Sequence, residues 1–559
     1  MQHDPGFRRA RSRQSLRWLP ALGMVAATTV AVGGAPAQRG ATATTDQAFG
    51  PSARSTGLIA LPPGFQYRVL ADESTFYSDG TPRPGDADGM GAFPGPNNTT
   101  ILCVNHELSN GEPPVVPPVD GHYDPNSSGG TSVMIVGPDR RLQQAWVSSS
   151  GTIRNCAGGV TPWGTWITVE ENVSISGNYT HGWAFEVDPY APLDGGTPRQ
   201  VRLDSLGRFF KEAATVDPVT HAVYQTEDRT DGLYYRFMPA AGTLPTGYGA
   251  YVNAPGQLEA LYLPELPDAN MALPGDRYWP QWVAVPDPDG SPTPTRYQTY
   301  VDAGGAVVQP TVFYRGEGSW WSDVESAVYF DCTGGGSSGH RGQIWRYEPF
   351  VNELTLVYES LDASVLDKPD NLFVLPWGDL LMCEDGSGTN YLRILTLNGD
   401  IVDFASTNVS EFAGACWSSS PNTLYVNLQS PSITLAIWGP WALLRNCPWD
   451  LDGDGDVFIT DLLLLLEDFG SCDGSLADFD GDGCVTIADL LMMLFNLGPC
   501  PDGRCPWDVN GDGVVDPADL FQVLTNLGLC DGCPEDVNGD GVVDGQDVVA
   551  VLTHFGPCP

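Results

Sequence analysis

The pattern of apolar and polar positions divides the chain into two parts. From about residue 58 to residue 441, short apolar runs alternate with clusters of Gly, Pro, Asn and Asp, and the helical period is nearly absent. Beyond residue 447, acidic glycine-containing loops each lead into an apolar helical segment. The pattern predicts an all-β body followed by a small all-α tail.

Six apolar runs of the body end in carboxylates or amides. They are Leu102 to Glu107, Trp166 to Asn172, Ala222 to Asp228, Ala327 to Asp331, Leu380 to Asp385 and Leu424 to Gln429. A radial arrangement of such strands, as in a propeller, would bring their acidic ends together around a channel. We therefore predict a six-bladed β-propeller, with the Pro- and Gly-rich stretch 239–310 as a long insertion. A β-sandwich with solvated strand ends is the alternative.

The first residues have the features of an export signal. Five arginines between residues 8 and 17 precede an apolar run from Trp18 to Val32, and an A-x-A cleavage pattern ends at Ala37. The run is shorter than the roughly 20 residues that span a bilayer, so an uncleaved anchor is the less favoured alternative. We expect a signal peptide at 1–37, a linker at 38–57, no membrane span in the mature chain, and a secreted, periplasmic or cell-surface location.

The tail is strongly acidic. The chain has a formal net charge of −42, and residues 447–559 contain 23 Asp and Glu against one Arg. Such a tail repels nucleic acid and attracts cations. Eight of the 13 cysteines lie in the tail and five in the body, so at least one body cysteine lacks an intramolecular disulfide partner.

Convergent carboxylates in the body predict a metal site. Carboxylates from separate strands would repel each other unless cations neutralise them, and calcium is the natural hard ion for oxygen ligands. Cys156, next to Gly158 and Gly159, adds a thiol that favours a softer ion such as iron. A buried structural cysteine is the alternative.

Several strings of the body, in order, resemble those of the PhoX-type alkaline phosphatases. The strings are VNHE at 104–107, NCAGGVTPWGTWITVEEN at 155–172, LGRFFKEAATVD at 206–217, PDNL at 369–372, CEDG at 383–386 and the EFAGACWS to AIWGPW region at 411–441. The resemblance implies a six-bladed propeller at 58–441 with a cluster of two iron and three calcium ions, which hydrolyses phosphate monoesters.

The resemblance also implies roles for single residues. Cys156 matches the iron-binding cysteine, Glu171 and Glu212 match cluster ligands, and Arg315 with Glu317 matches an Arg-x-Glu pair in which the Arg holds phosphate and the Glu holds metal. The further implied ligands are Glu107, Asp370, Glu384 and Asp385. Gly316 and Gly318 depart from the Arg-Pro-Glu of the well-known phosphatases, which favours a side branch of the family.

Non-phosphatase functions form the competing hypotheses. A related calcium-dependent esterase or lactonase, or a propeller that only binds, would use the same fold. Residues 335–339 also match the G-x-S-x-G pattern of serine hydrolases, but a glycine-rich loop between strands lacks the strand-to-helix turn that this nucleophile needs.

The tail contains four calcium-loop patterns at intervals of 28, 30 and 28 residues. Oxygen ligands at loop positions 1, 3, 5 and 12 surround a glycine at position 6, as in EF-hands, although position 12 is Asp. The predicted ligands are Asp450, Asp452, Asp454, Asp456, Asp461, Asp478, Asp480, Asp482, Asp489, Asp508, Asn510, Asp512, Asp519, Asp536, Asn538, Asp540 and Asp547. The repeats resemble dockerins in two pairs, 447–500 and 505–559, which implies docking to a cohesin-like or cell-surface partner.

Cysteine spacing predicts the disulfides of the tail. Three pairs 25 residues apart flank single loop-helix units, namely Cys447 with Cys472, Cys505 with Cys530 and Cys533 with Cys558. The remaining pair is Cys484 with Cys500.

Overall fold

The computed structural model describes residues 57–557 with internal gaps. The gaps are 116–120, 194–195, 337–338, 340, 420, 446, 452–455, 473–474, 501–508, 510–513, 516, 530–536, 538–541, 544 and 554–555. The predicted signal peptide, almost all of the predicted linker, and Ser337, Ser338 and His340 of the serine-hydrolase pattern therefore lie outside the described residues.

Six antiparallel sheets form the body, and each is one blade of a propeller. From the axis outwards, blade 1 contains Ala87–Pro94, Thr100–His106, Gly129–Val136 and Leu142–Thr152, and blade 2 contains Asn155–Val160, Trp166–Glu170, Ala184–Val187 and Gln200–Arg202. In the same order, blade 3 contains Lys211–Val216, Val223–Glu227, Tyr235–Pro239, Gly256–Tyr262 and Gln281–Ala284, and blade 4 contains Gly316–Ser322, Ala327–Cys332, Gln343–Glu348, Glu353–Glu359 and Arg277–Tyr278. Blade 5 contains Pro369–Val374, Leu380–Glu384, Asn390–Leu395 and Ile401–Thr407, and blade 6 contains Phe412–Ser419, Asn422–Leu428, Ile433–Trp438 and Gln66–Ala71. The six-bladed prediction is confirmed.

The first strand of each blade is the inner strand, and inner strands of neighbouring blades contact each other around the whole ring. Blade 6 takes its outermost strand, Gln66–Ala71, from the start of the described chain, where it pairs antiparallel with Ile433–Trp438. This pairing joins the two ends of the body and closes the ring without leaving an unpaired edge between them.

The stretch 239–310 has a different role from the one predicted. Instead of a separate insertion, it supplies the outer strands Gly256–Tyr262 and Gln281–Ala284 to blade 3 and Arg277–Tyr278 to blade 4. It also forms a small hairpin of Tyr300–Val301 and Val307–Val308, and blade 2 carries another, Ile175–Ser176 with Tyr179–Thr180. Short 3₁₀ turns lie at Pro96–Asn98, Asp204–Leu206, Ala269–Met271, Thr295–Tyr297 and Trp441–Leu444.

Inner strands approach so closely that small residues are required between them. A Cβ on Gly159 of blade 2 would lie 1.9 Å from the carbonyl oxygen of Ala214 in blade 3, and one on Gly89 of blade 1 would lie 2.4 Å from Cα of Ala157. These distances leave no room for a side chain, so the glycines permit the ring to close around a narrow axis.

The described part of the tail contains four nine-residue helices: α1 (Ile459–Glu467), α2 (Ile487–Phe495), α3 (Pro517–Thr525) and α4 (Gly545–Thr553). Two-residue ladders join the loops, pairing Asp456–Val457 with Gly498–Pro499, Val514–Val515 with Gly556–Pro557, and Gly528–Leu529 with Val542–Val543. None of the described helices has the length and apolar composition needed to cross a membrane.

The predicted disulfides of the first tail pair are wrong. Cys447 is bonded to Cys500, and Cys472 to Cys484. The prediction assumed that each loop-helix unit closes on itself. Instead, the ladder between Asp456–Val457 and Gly498–Pro499 brings the beginning of the first unit next to the end of the second. Cys505, Cys530, Cys533 and Cys558 lie outside the described residues.

Candidate metal centre

Every inner strand contains a β-bulge at the same position. The register of pairing with the second strand shifts at residues Asp88, Cys156, Glu212, Glu317, Asp370 and Gly414 in blades 1 to 6. A bulge re-aims a side chain away from the regular alternation of a strand. Five of the six bulge residues carry a carboxylate or a thiol, so the bulges place five potential metal ligands around one end of the axis.

Hydrogen bonds between blades hold several bulges in place. Asn105 of blade 1 donates from Nδ2 to the carbonyl oxygens of Cys156 and Ala157, at 2.8 and 2.7 Å. Thr226 of blade 3 donates its hydroxyl to the Glu317 carbonyl in blade 4. Each donor lies on the second strand of the preceding blade, so the bulge geometry is fixed by the ring rather than by the strand alone.

Acidic doublets at the ends of second strands have two distinct roles. The first member braces its own blade: Glu170 accepts from the Gly182 amide at 2.8 Å, and Glu384 accepts from the Tyr391 amide at 3.1 Å. The second member, one residue later, lies on the axial side. These axial residues are Glu171, Asp228 and Asp385.

The axial groups form three overlapping triplets in which ligand atoms lie within 4.8 Å of one another. The triplets are Asp88, Glu107 and Cys156; Cys156, Glu171 and Glu212; and Glu212, Asp228 and Glu317. Cys156 belongs to the first two triplets and Glu212 to the last two. The arrangement is a continuous row of potential metal positions with bridging groups between them.

Two arginines lie beside this row. Arg154 pairs with Glu107 and Glu171, and its Nε donates to Glu171 Oε2 at 2.7 Å. Arg315 donates from Nε and Nη2 to the two carboxylate oxygens of Asp228, both at 2.8 Å, and its Nη2 lies 3.0 Å from Glu317 Oε1. Both side chains remain more than a third exposed, so this end of the channel is an open mouth.

Burial and mutual repulsion shift the cluster toward its protonated forms. Burial, then the charges of Glu171, Asp88 and other cluster carboxylates, raise the pKa of Glu212 far above its ordinary value. Burial also raises the pKa of Glu171 to about 7, although Arg154 opposes the shift. The Cys156 thiol has a strongly raised pKa because of burial and then the neighbouring Glu107 and Glu212. Without cations these groups therefore bind protons instead.

Unpartnered oxygens indicate that the cluster fits cations. Asp88 Oδ1 and both carboxylate oxygens of Asp331 are buried without a hydrogen-bond partner among the described residues. Asp331 is fully buried and lies close enough to Asp370 for each charge to be felt by the other. Buried carboxylates without donors are costly unless protons or metal ions compensate them, so the residues present suit bound metal.

The channel narrows below the cluster. A void of about 20 Å³, lined in part by Gly89, Gly158, Gly318 and Trp320, separates the cluster from the other end of the axis. Trp320 packs against the cores of neighbouring blades, with its ring centroid 5.0 Å from that of Phe373. The side chain of Trp320 thus narrows the channel on the side of the cluster that faces away from the mouth.

Most of the predicted body residues come together. Glu107, Cys156, Glu171, Glu212 and Glu317 belong to the triplets. Asp370 and Asp385 lie beside them, since Asp385 and Glu107 raise the pKa of Asp370 after burial does.

Glu384 is the exception. Its Oε1 accepts from Arg393 Nε at 2.8 Å and from the Asp367 amide at 2.9 Å, and its other oxygen accepts from the Tyr391 amide. Because it is the first member of its acidic doublet, it points away from the axis. The structure therefore does not place Glu384 among the potential metal ligands.

Sequence reasoning missed Asp88, Asp228, Arg154 and Glu411. Glu411 interacts with Asp385 by a hydrogen bond that, after burial, raises its pKa to about 10. Asp228 was visible as the second member of a doublet. Asp88 was visible by aligning the starts of inner strands, where a metal-binding residue is followed by small residues in DGM, CAG and EAA.

One tail loop also gathers its predicted ligands. Asp478, Asp480 and Asp489 bring carboxylate oxygens within 4.8 Å of one another, whereas Asp482 is exposed nearby. The position-12 residues Asp461, Asp489, Asp519 and Asp547 are all fully buried at the starts of their helices. Asp450 is buried at position 1 of the first loop. The side chains of Asp452, Asp454, Asp456, Asp508, Asn510, Asp512, Asp536, Asn538 and Asp540 lie outside the described residues.

Comparison with known proteins identifies the family. The family model described as alkaline phosphatase PhoX matches residues 47–432. This match covers more than half of the chain. The chain belongs to the PhoX alkaline phosphatase family. It is therefore a phosphatase, and the metal-binding character of its axial cluster agrees with a family of metal-dependent enzymes.

A solved PhoX structure supports the propeller fold of this PhoX family member. A structure of Pseudomonas fluorescens PhoX in complex with vanadate has a TM-score of 0.53 and 19% identity, and the match covers 70% of this chain and 97% of that chain. A Xanthomonas campestris gluconolactonase matches with a TM-score of 0.34 and 12% identity over 69% of this chain and 96% of that chain. No curated sequence relative matches the chain.

Proposed function

We propose that the protein is an exported phosphomonoesterase that works at a calcium- and iron-containing cluster and is docked through its calcium-loaded tail. The observation that supports the catalytic part is the row of three triplets joined by Cys156 and Glu212, in which the buried, unpartnered Oδ1 of Asp88 suits a bound cation. The oxygen-rich triplets suit calcium, whereas the Cys156 thiolate, shared by two triplets, suits iron.

The residues of the chain have separate roles in this proposal. Cations bound here would polarise phosphoryl oxygens and make a water-derived nucleophile available near neutral pH. Glu171, Glu212 and Glu317 would hold them together with Cys156, which shares a triplet with Glu212. Arg315 is open to solvent at the mouth and binds phosphate oxygens, while Asp228 and Glu317 orient its guanidinium.

The docking part of the proposal depends on the tail. Helices α1 and α2 expose large apolar side chains, among them Ile459, Leu463, Leu491 and Phe495, next to loops with clustered carboxylates. Calcium would order the loops and thereby fix the helices for a cohesin-like or cell-surface partner. The signal peptide predicted at 1–37 would give both parts the same location outside the cytoplasm.

The proposal is tested by substrate range and metal content together. Purified protein loaded with calcium and iron is assayed at alkaline pH with aryl and alkyl phosphate monoesters, phosphate diesters and lactones. We expect monoester hydrolysis that a chelator abolishes and that both metals restore. Turnover of lactones without turnover of any monoester would refute the proposed substrate class.

Cys156 provides the matched test of the iron site. Cys156→Ser should remove iron and most of the activity, whereas Cys103→Ser changes another fully buried free cysteine outside the triplets and should leave both unchanged. Elemental analysis and aryl phosphate hydrolysis measure the outcome. Equal iron content in wild type and Cys156→Ser would refute the assignment of the thiol as a ligand.

A further inference from the structure

Arg154 and Arg315 occupy equivalent positions in two different blades. Each lies two residues before the bulge of its inner strand, since Arg154 precedes Cys156 and Arg315 precedes Glu317. Both have a left-handed backbone, with φ of +48° and +54°. Asp86 of blade 1 and Lys368 of blade 5 share this conformation two residues before their bulges, with φ of +42° and +56°, so it is a repeated feature of the bulges in the ring. The ring therefore presents the two arginines at the same height of the mouth.

Blade 3 lies between these two blades, and its bulge residue is Glu212. Glu212 shares one triplet with Glu171, the partner of Arg154, and another with Glu317, the partner of Arg315. The two guanidinium groups consequently flank the central ligand of the row. A phosphate bound to cations at Glu212 would have one arginine on each side.

Arg154 contacts carboxylates that belong to the potential metal positions, so its positive charge occupies the place that a bound cation would take. Its Nε and Nη2 interact with Glu107 and Glu171. Glu107 and Glu171 belong to different triplets, so cations bound in both would compete directly with the guanidinium for their oxygens. Bound metal would therefore release N–H donors of Arg154 at the mouth, beside the proposed phosphate position.

We propose that Arg154 is a second phosphate-binding arginine, which acts with Arg315 as a clamp across the cluster and favours dianionic phosphate monoesters. The proposal rests on the proposed phosphatase function of the same site. A monoester dianion has three terminal oxygens, enough for the cations and both guanidinium forks. A diester has only two terminal oxygens and a single charge, so it gains less from the second arginine.

The test compares Arg154→Ala, Arg154→Lys and a control, Arg199→Ala, in the full-length, metal-loaded protein. Arg199 is also partly exposed, and it pairs with a single carboxylate, that of Asp188, at the end of blade 2 away from the mouth. Metal content is measured by elemental analysis, inorganic phosphate binding by calorimetry, and kcat and KM with a monoester and a diester. Calorimetry reports phosphate binding independently of turnover.

We expect Arg154→Ala to retain its metals and to bind phosphate about 10- to 100-fold more weakly, the range for losing charge-assisted hydrogen bonds. kcat/KM for the monoester should fall by more than kcat/KM for the diester. Arg154→Lys keeps the charge but not the fork, so it should retain metal and bind phosphate with intermediate affinity. Arg199→Ala should match wild type.

Unchanged phosphate binding in metal-loaded Arg154→Ala would overturn the proposal. Metal loss in Arg154→Ala, combined with full phosphate affinity in metal-loaded Arg154→Lys, would also overturn it and assign Arg154 a structural role. A wild-type protein that binds phosphate in the calorimeter but hydrolyses no monoester would contradict the proposed function. In that case the phosphate affinities of the variants still decide the role of Arg154.

Discussion

Adjacent carboxylates in this protein have different functions, and their offset of one residue along the strand determines which function each has. Glu384 and Asp385 are adjacent, yet Glu384 braces blade 5 through Arg393 while Asp385 interacts with Asp370 at the axis. Side chains of successive strand residues point to opposite sides, so an acidic doublet contributes one residue to the blade and one to the cluster. The same division applies to Glu170 and Glu171.

This division predicts different effects for two carboxamide substitutions. Glu212→Gln removes the charge shared by two triplets and should lower metal content and reduce phosphatase activity on the order of 100-fold. Glu384→Gln breaks a buried ion pair and should lower the free energy of unfolding by about 3 kcal/mol while metal content stays normal. Elemental analysis and urea denaturation distinguish the two. Loss of cluster metal in Glu384→Gln would contradict the assignment.

At the scale of elements, the inner strands combine two requirements in a few residues. The bulge residue carries the functional group, and the residues after it must be small because the next inner strand is in contact. A Cβ on Gly159 would lie 1.9 Å from the carbonyl oxygen of Ala214 in the next inner strand, and one on Gly158 would lie 1.9 Å from that of Ile167 in the second strand of its own blade. The glycine-rich part of the sequence signature is therefore a packing requirement of the ring.

Gly159→Ala tests this requirement. The added methyl group collides with backbone of blade 3, which cannot move without displacing the Glu212 strand, so we expect a loss of about 2 to 3 kcal/mol in unfolding free energy. Gly85→Ala is the control, because its Cβ would make only an ordinary contact of 3.6 Å with Leu108. Thermal unfolding of both variants gives the comparison. Equal stability of the two variants would show that the inner strands can separate.

The sequence predicted the number of blades because one run of each blade ends in recognisable carboxylates or amides. Those runs proved to be the second strands, whereas the inner strands that carry Asp88, Cys156, Glu212 and Glu317 lack regular alternation because each contains a bulge. Resemblance to the family supplied Cys156 and Glu212. Asp88 and Arg154 can be recognised only by comparing equivalent positions in different blades, and this comparison requires that the bulges be aligned.

At the scale of the whole molecule, the buried carboxylates of the cluster repel one another, and bound cations would offset this repulsion. Burial and repulsion raise the pKa of Glu171 to about 7, above its ordinary 4.5, and raise those of Asp88, Glu212, Glu317 and Asp370 well above their ordinary values. The folded, metal-free protein therefore holds these protons more tightly than the unfolded chain does.

Stability of the metal-free protein should therefore depend on pH with a definite sign. Stabilisation by the bound proton of Glu171 is complete below pH 4.5 and is lost as the pH rises to about 7, so chelator-treated protein should be more stable at pH 5 than at pH 8. Urea denaturation followed by tryptophan fluorescence measures this. Adding metals at pH 8 should restore stability, because cations then replace the protons. Greater stability of the metal-free protein at pH 8 would contradict the prediction.

The path of the last body strand has a consequence for access to the enzyme. Ile433–Trp438 begins near the mouth, where Gln429 bonds Glu107, and runs to the other end of blade 6, from which Pro440 reaches Gly481 of the tail. The metal cluster and the tail proposed for attachment thus lie at opposite ends of blade 6. A molecule tethered by its tail would hold its arginine-lined opening toward the surrounding medium, so that dissolved phosphate esters reach it without passing the anchoring surface.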